Sequence, residues 1–355
     1  MLYGSIVIYS KMNVLVRKIL VCFFSFCVCC SSFFSCKRST APKPAANSPA
    51  YAISGAKIVY QSKPVQLIGA NALHVFSAGG SDMISWHMDV AREFIGNVKE
   101  TPLSGAVIKD SNGSYLYSLQ TVVDSNRKAG RVTIIGAFGW DGTGNTLFTG
   151  TRPTQTSWWA AFQGKLQQWA EQFKNQPDVW LEVWNEPYRY DSTDGYTDDI
   201  WMSDMNTLVG IIRNAGNNNI VLVPCAKQGQ DESVLLNKGR SFLSGKSNIL
   251  FDVHAYEKWL LDAPANIGAR MGLLQQQGLS LIIGETAPMN AGTLMNPQPL
   301  LDSAYRRGIS VCAWTWKYSN SDQDALLGTD GSPNNTNNNN WGSLFKAFAA
   351  QSRNP

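Results

Sequence analysis

Two glutamates stand in this 355-residue chain where catalytic carboxylates would be expected. The run Val179-Trp180-Leu181-Glu182-Val183-Trp184-Asn185-Glu186-Pro187-Tyr188 is mostly apolar until it breaks on Asn185 and Glu186, and Pro187 then stops it. A buried strand that delivers an amide and a carboxylate at its C-terminal tip is how a parallel barrel presents reactive groups. A second strand-like run, Ser280-Leu281-Ile282-Ile283-Gly284-Glu285, also ends on a carboxylate. Two carboxylates facing each other across a cleft are the minimal equipment for cleaving a glycosidic bond. Each alone would read equally well as part of a barrel-core salt bridge, so the pair carries the expectation.

The elements that must position them repeat along the chain. From residue 55 onward, short β-like runs alternate with longer helix-like ones, the pattern of βα units on a parallel sheet. The strands are expected at 65–71, 95–100, 131–138, 179–185, 219–224, 249–254, 279–285 and 309–316, and several are apolar almost throughout, as strands covered on both faces should be. Helices are expected at 115–129, 157–174, 201–214, 262–277 and 299–307, with a last one from Trp341 after the asparagine run near 334–340. Trp158, Phe162, Leu166, Trp169 and Phe173 recur at helical spacing and mark a buried stripe. Eight units in this length predict a single α/β domain over 51–355, a (β/α)8 TIM barrel with a small N-terminal β-hairpin; no glycine-rich phosphate fingerprint follows the first strand to suggest a doubly wound sheet.

The first 50 residues differ in kind. They hold Lys11, Arg17, Lys18, Lys37, Arg38 and Lys43, no Asp or Glu, and five of the seven cysteines, leaving 24 basic against 26 acidic residues in the rest. The basic balance therefore belongs to the leader and implies no nucleic-acid partner. Arg17-Lys18 followed by the apolar stretch 19–34 reads as an export signal, with Met1 or Met12 as the start. Phe33-Phe34-Ser35-Cys36 resembles a loose bacterial lipobox, so residues 1–36 are expected to be a signal or lipoprotein-type leader with Cys36 as the lipidation site. Residues 37–50, with the Ala-, Pro- and Ser-rich segment from Ser39, read as a flexible tether. Contact with a membrane is expected through that anchor only. Two cysteines beyond the leader, Cys225 and Cys312, and three histidines in all argue against a disulfide framework or a metal centre.

Mapped onto strand ends, Asn185 and Glu186 follow the fourth strand, His254 and Tyr256 the sixth, and Glu285 the seventh, with Trp314 on the eighth. In that order, the segments Glu182 to Pro187, His254-Ala255-Tyr256 and Gly284-Glu285, together with the opening Lys63 to Asn71, resemble glycoside hydrolase family 5 across most of residues 55–320. The resemblance is to the retaining (β/α)8 clan and to a divergent subfamily. It implies an endo-β-glycosidase acting on a β-1,4-linked polysaccharide, which the leader marks as exported; no cofactor is expected, since two carboxylates and a water suffice, and a monomer is expected. Glu285 would be the nucleophile and Glu186 the acid/base, with Asn185 on the sugar 2-hydroxyl and Tyr256 and His254 beside Glu285. Sugar rings stack on aromatic faces, and of twelve tryptophans Trp314 is expected under the cleaved sugar, with Trp316, Trp140 and Trp259 as further contacts. Trp184, Trp314 and Trp316 are expected to supply an apolar wall for Glu186, while Glu182 reads as a polar barrel-interior residue.

The chain departs from the family pattern at two places. Lys99 stands where a second-strand arginine is usual, and is expected to substitute for it without a bidentate fork. Phe138-Gly139-Trp140-Asp141 stands where a histidine is usual after the third strand. A β-1,4-glucan is the expected substrate and β-mannan the alternative. A serine esterase is set aside for want of a G-x-S-x-G elbow, and a non-catalytic carbohydrate-binding lipoprotein is disfavoured by the presence of both glutamates.

Overall fold

The computed structural model describes residues 51–77, 79–317, 323–335 and 340–353. The leader, the tether and Cys36 lie outside the described residues. Eight parallel strands close into a barrel: β1 (Ile68–Ala72), β2 (Val90–Ile95), β3 (Val132–Ala137), β4 (Val179–Glu182), β5 (Val221–Pro224), β6 (Ile249–His254), β7 (Leu281–Glu285) and β8 (Ser310–Ala313), with β8 pairing back onto β1. Helices Leu119–Lys128, Trp159–Phe173, Asp198–Asn214, Ser233–Phe242, Pro264–Gln276, Gln298–Arg307 and Trp341–Ala349 follow strands β2 to β8 and cover the outside of the barrel. The apolar stripe of the second of these buries Phe162, Leu166, Trp169 and Phe173. Before β1, strands Tyr51–Ser54, Lys57–Tyr60 and Lys63–Pro64 form a three-stranded antiparallel sheet.

Period-two alternation divides each strand between two cores. Inward-facing Val90, Val132, Ile134, Trp180, Leu222, Leu250, Ile282 and Cys312 fill the lower barrel, and Tyr51, Ile53 and Val65 of the N-terminal segment pack against that cluster. Tyr51 meets Trp180 edge-on at 5.5 Å, so the small sheet plugs the bottom of the barrel. Higher in the same interior the side chains turn polar: Asn71, Arg92, Glu182 and Asp252, each wholly buried. Room for this layer depends on glycine, since a Cβ on Gly136 would lie 2.5 Å from Glu182 Oε2.

The second strand lies at Val90–Ile95, not at 95–100. Arg92 and Glu93 break the apolar character of Val90-Ala91-Arg92-Glu93-Phe94-Ile95, yet both are buried, one on each face. Arg92 points inward. Glu93 points outward, where His74 Nδ1 lies 2.8 Å from its carboxylate and Asn126 donates to it at 2.8 Å. Burial disfavours the His74 cation, but Glu93 and Asp82 outweigh it and push its pKa up to about 10. His74 is therefore a buried ion-pair partner outside the barrel. Residues Tyr115–Leu116 pair with Ile108–Lys109 as a small hairpin, which delays the first helix to Leu119, where Ser118 caps it.

Candidate active site

The C-terminal ends of β1, β2, β4, β6 and β7 meet above the polar layer. Arg92 is its centre: Nε and Nη2 donate to the two oxygens of Glu182 at 2.7 and 2.8 Å, Nη1 donates to Glu285 Oε1 at 2.7 Å and to Asn71 at 2.6 Å, and Nη2 also reaches Asn185 at 2.7 Å. Five bonds in a dry interior fix the guanidinium plane, and through it the carboxylate of Glu285. Tyr256 donates to the other oxygen of Glu285 at 3.0 Å. Asn185 donates its amide to Thr149 Oγ1 at 2.9 Å, and with its oxygen taken by Arg92 it has one amide hydrogen left for a ligand.

Past β4, Val183 still pairs with Leu222 before the chain turns, and Glu186 adopts φ 46°, left-handed backbone that costs a non-glycine residue free energy. Gly150 donates to its carbonyl at 2.8 Å and holds the turn. The turn brings Glu186 Oε1 within 2.9 Å of His254 Nδ1, which itself lies 3.5 Å from Glu285 Oε2. Carboxylate oxygens of Glu186 and Glu285 thus approach within 4.8 Å of each other.

Four carboxylates, Glu182, Asp252, Glu186 and Glu285, crowd here around Arg92, the permanent cation of the cluster. Crowding of this kind favours bound protons. Burial opposes a charge on His254, but Glu285, Asp252 and Glu186 raise its pKa well above the ordinary value. Burial likewise pushes Glu285 up to about 7, against the pull of His254 and Arg92 and with that of Glu186. Two groups of three ligating side chains could in principle hold a metal: Glu182, Asp252 and His254, or Glu186, His254 and Glu285. Arg92 already occupies both oxygens of Glu182, and the second group is the carboxylate pair itself, so neither is assigned to a metal.

Trp314, half-buried, stacks on Phe138 at 5.9 Å and packs on Phe94 at 4.7 Å, an aromatic floor beside the carboxylates; the Trp314–Thr315 peptide is cis. Trp140 is partly buried just beyond β3. Trp259 and Trp316 do not reach the cleft. Trp259 is wholly buried, donates to the Gln230 carbonyl at 3.0 Å and lies under the Arg270 guanidinium. β8 ends at Ala313, so its alternation does not extend to Trp316, which packs edge-on against Trp86 at 5.1 Å. Trp184 also faces the outer core, against Phe148 and Phe162. Lys99 is exposed in the turn after β2, its N–H bonded to the Trp140 carbonyl, and Arg92 holds the place beside Glu285. Cys225 and Cys312 are buried free thiols.

Sequence reasoning missed Arg92, Asn71 as its partner, Thr149 and Asp252. For Arg92 the available signal was parity: it falls between inward-facing Val90 and Phe94. A cavity of about 330 Å³, lined by Thr149, Gly150, Arg189, Tyr190, Asp191 and Gln228, opens on the Glu186 side of the site.

A closed parallel barrel with two nearby glutamates at the ends of β4 and β7, one gripped by arginine and tyrosine, is the architecture of a retaining glycosidase. Comparison with known proteins gives the family: residues 71–320 match the model for cellulase (glycosyl hydrolase family 5), and the chain belongs to that family. A mannan endo-1,4-beta-mannosidase of Cellvibrio japonicus (strain Ueda107) is 22% identical over 251 residues, 68% of this chain and 55% of that protein. A beta-mannanase/endoglucanase A of Caldicellulosiruptor saccharolyticus is 23% identical over 181 residues, 49% of this chain and 13% of that one, so the chain spans about half or less of the length of these relatives. Among solved structures, the catalytic domain of a mannanase from Streptomyces sp. SirexAA-E superposes with TM-score 0.66 at 16% identity, covering 90% of this chain and 98% of that one. A beta-mannanase from Thermomonospora fusca gives TM-score 0.64 at 15% identity, covering 86% and 98%. The structural likenesses show the fold, a (β/α)8 barrel, and the family match places the chain among the family 5 glycoside hydrolases.

Proposed function

We propose that the chain is an exported endo-β-1,4-mannanase that works by double displacement. The observation that carries the mechanism is the approach of Glu186 and Glu285 oxygens within 4.8 Å, which accords with the close carboxyl spacing of retaining enzymes, about 5–5.5 Å, and not with the wider inverting spacing of about 6.5–9.5 Å. Glu285, oriented by Arg92 and Tyr256, attacks the anomeric carbon while Glu186 protonates the departing oxygen. A water then gives its proton to Glu186 and its oxygen to the same carbon, releasing Glu285. The free Asn185 amide hydrogen is placed to donate to the sugar 2-hydroxyl, Trp314 to carry the cleaved ring, and Trp140 to extend that surface. The cavity beside Glu186 has room for the leaving sugar.

Mannan replaces glucan as the preferred substrate because the relatives named above are mannan-acting proteins, one of them also an endoglucanase. Export and lipidation at Cys36 rest on the leader sequence alone. The test is reducing-sugar release from mannan, β-glucan, xylan and mixed-linkage glucan by protein from Ser48 onward, beside Glu186→Gln and Glu285→Gln. Mannan cut with a β-configured first product, and near-complete loss in both variants, is the expected result. Binding without cleavage would make the barrel a carbohydrate-binding module, and preference for glucan would overturn the substrate reading.

A further inference from the structure

Asp252 lies wholly inside β6, below His254, and the two-glutamate mechanism gives it no task. Its Oδ1 accepts from the Gly284 N–H at 2.8 Å, and a Cβ on Gly284 would collide with the carboxylate at 2.2 Å. The β6–β7 register shifts at this point, between Val253 and His254, so that His254 pairs with Glu285 rather than with Gly284. The other oxygen, Oδ2, faces His254 Nε2 at 3.4 Å, and each of these two buried atoms lacks a hydrogen-bond partner among the described residues. An orphaned buried polar atom is costly. A proton on Nε2, directed at the Asp252 charge, would lower that cost. On the opposite edge of the ring Nδ1 meets Glu186 Oε1 at 2.9 Å. A histidine with a carboxylate oxygen facing each nitrogen has, as an imidazolium, an N–H to present to each.

We propose that Asp252 is a positioning residue which keeps an additional proton on the His254–Glu186 pair, so that this pair works as one coupled acid toward the leaving oxygen. The proposal rests on the assignment of Glu186 as acid/base. The groups facing the ring are Asp252 on its own strand, Glu182 and Glu186 on and after β4, and Glu285 on β7; Arg92 of β2 lies beyond Glu182 and Glu285, and Tyr256 is bonded to Glu285. Gly229 closes the remaining edge, where a Cβ would be 2.9 Å from the ring. In the first step the proton leaves Glu186 for the glycosidic oxygen as the C1–O bond breaks and the Glu285–C1 bond forms. His254 keeps its Nδ1–H on the carboxylate that results. In the second step water returns the proton to Glu186. Asp252 neither gains nor loses a proton in the cycle; its charge sets how tightly the pair holds its own.

Asp252→Asn keeps the acceptor for Gly284 and removes the charge. The rate kcat/KM is measured against pH on a manno-oligosaccharide, whose leaving group needs a proton, and on a dinitrophenyl β-mannoside, whose leaving group does not. The basic limb on the oligosaccharide is expected to move down by about 1–3 pH units, the effect of one charge at this range. Activity there should fall about 10²-fold, while the activated glycoside loses far less. An unmoved basic limb, or equal loss on both substrates, would overturn the proposal and leave Asp252 as a support for the Gly284 backbone alone. Should the variant not fold, 15N NMR of the wild-type imidazoles decides: with three histidines in the chain, His254 is assigned by one substitution. Both its nitrogens should stay protonated at pH 8, and a neutral ring at pH 6 refutes the idea. Glu186→Gln runs in parallel; if it lacks the same dependence on leaving group, the acid assignment has failed, and the NMR result still decides whether Asp252 holds a proton on His254.

Discussion

Replacing Arg92 tests the electrostatics of the site most directly, because one side chain supports both its geometry and its charge. The guanidinium is fully buried and donates to Glu182, Glu285, Asn71 and Asn185 together. Lysine offers a single ammonium that can satisfy Glu182 or Glu285 but not both. Loss of the charge-assisted bond to Glu285 costs about 1.5–3 kcal/mol, which is about one to two pKa units at 1.36 kcal/mol each. Burial already pushes Glu285 up to about 7, so the acid limb of kcat/KM on mannan should move up by that amount in Arg92→Lys. At pH 6 the ionised fraction, and with it the rate, should drop a further tenfold or more. Arg92→Met leaves Glu182 without a counter-charge and should lower stability by about 3–5 kcal/mol, the cost of breaking a buried pair. The direction with pH is set by Glu285. Its folded pKa lies above the ordinary 4.5, so its contribution to stability is full below that value and is lost as pH rises through about 7. Raising the folded value by a further one to two units makes the loss in Arg92→Met deepen between about pH 7 and 9, not in acid. Thermal unfolding across that range and a pH–rate profile are the measurements. A profile for Arg92→Lys superimposable on wild type, with unchanged melting, would refute the reasoning.

Tyr256→Phe removes a neutral donor from Glu285 and should raise the acid limb by about one unit, with kcat/KM down about tenfold below it, for a loss near 1.4 kcal/mol; a fall in the acid limb on titration would contradict the assigned bond. Gly136→Ala places a methyl 2.5 Å from Glu182 Oε2, and overpacking of this kind costs about 1–3 kcal/mol. Its melting temperature and activity should fall together, and a variant that melts as wild type would show that the polar layer can shift.

Most of the barrel was legible because its strands obey one rule. Sequences such as Val179-Trp180-Leu181 and Leu281-Ile282-Ile283 are apolar on both faces, as strands wrapped inside and out must be. The carboxylates were legible for the complementary reason: Glu186 and Glu285 interrupt those runs where the strands emerge. The tryptophans were harder. Trp140, Trp259 and Trp316 all follow strand ends, and only local backbone direction decides that Trp259 turns into the core under Arg270 while Trp140 stays partly open.

The second strand was misplaced for a reason that bears on function. Its apolar pattern is broken by Arg92 and Glu93, and a reading that equates buried strands with apolar runs passes over it toward 95–100. Charge is tolerated there because each group is fully partnered, Arg92 by Glu182, Glu285 and two asparagines, Glu93 by His74 and Asn126. Such partnering is assembled from β1, β2, β4, β7 and the first helix, so no local window of sequence contains it. Interior charges of this sort weaken the strand signal and need glycines such as Gly136 and Gly284 to fit, costs a purely structural barrel would avoid with aliphatic residues. Their presence is therefore itself an argument for function: Arg92 and Asp252 interrupt the apolar pattern of their strands, and both lie directly beneath the carboxylates that the chemistry requires.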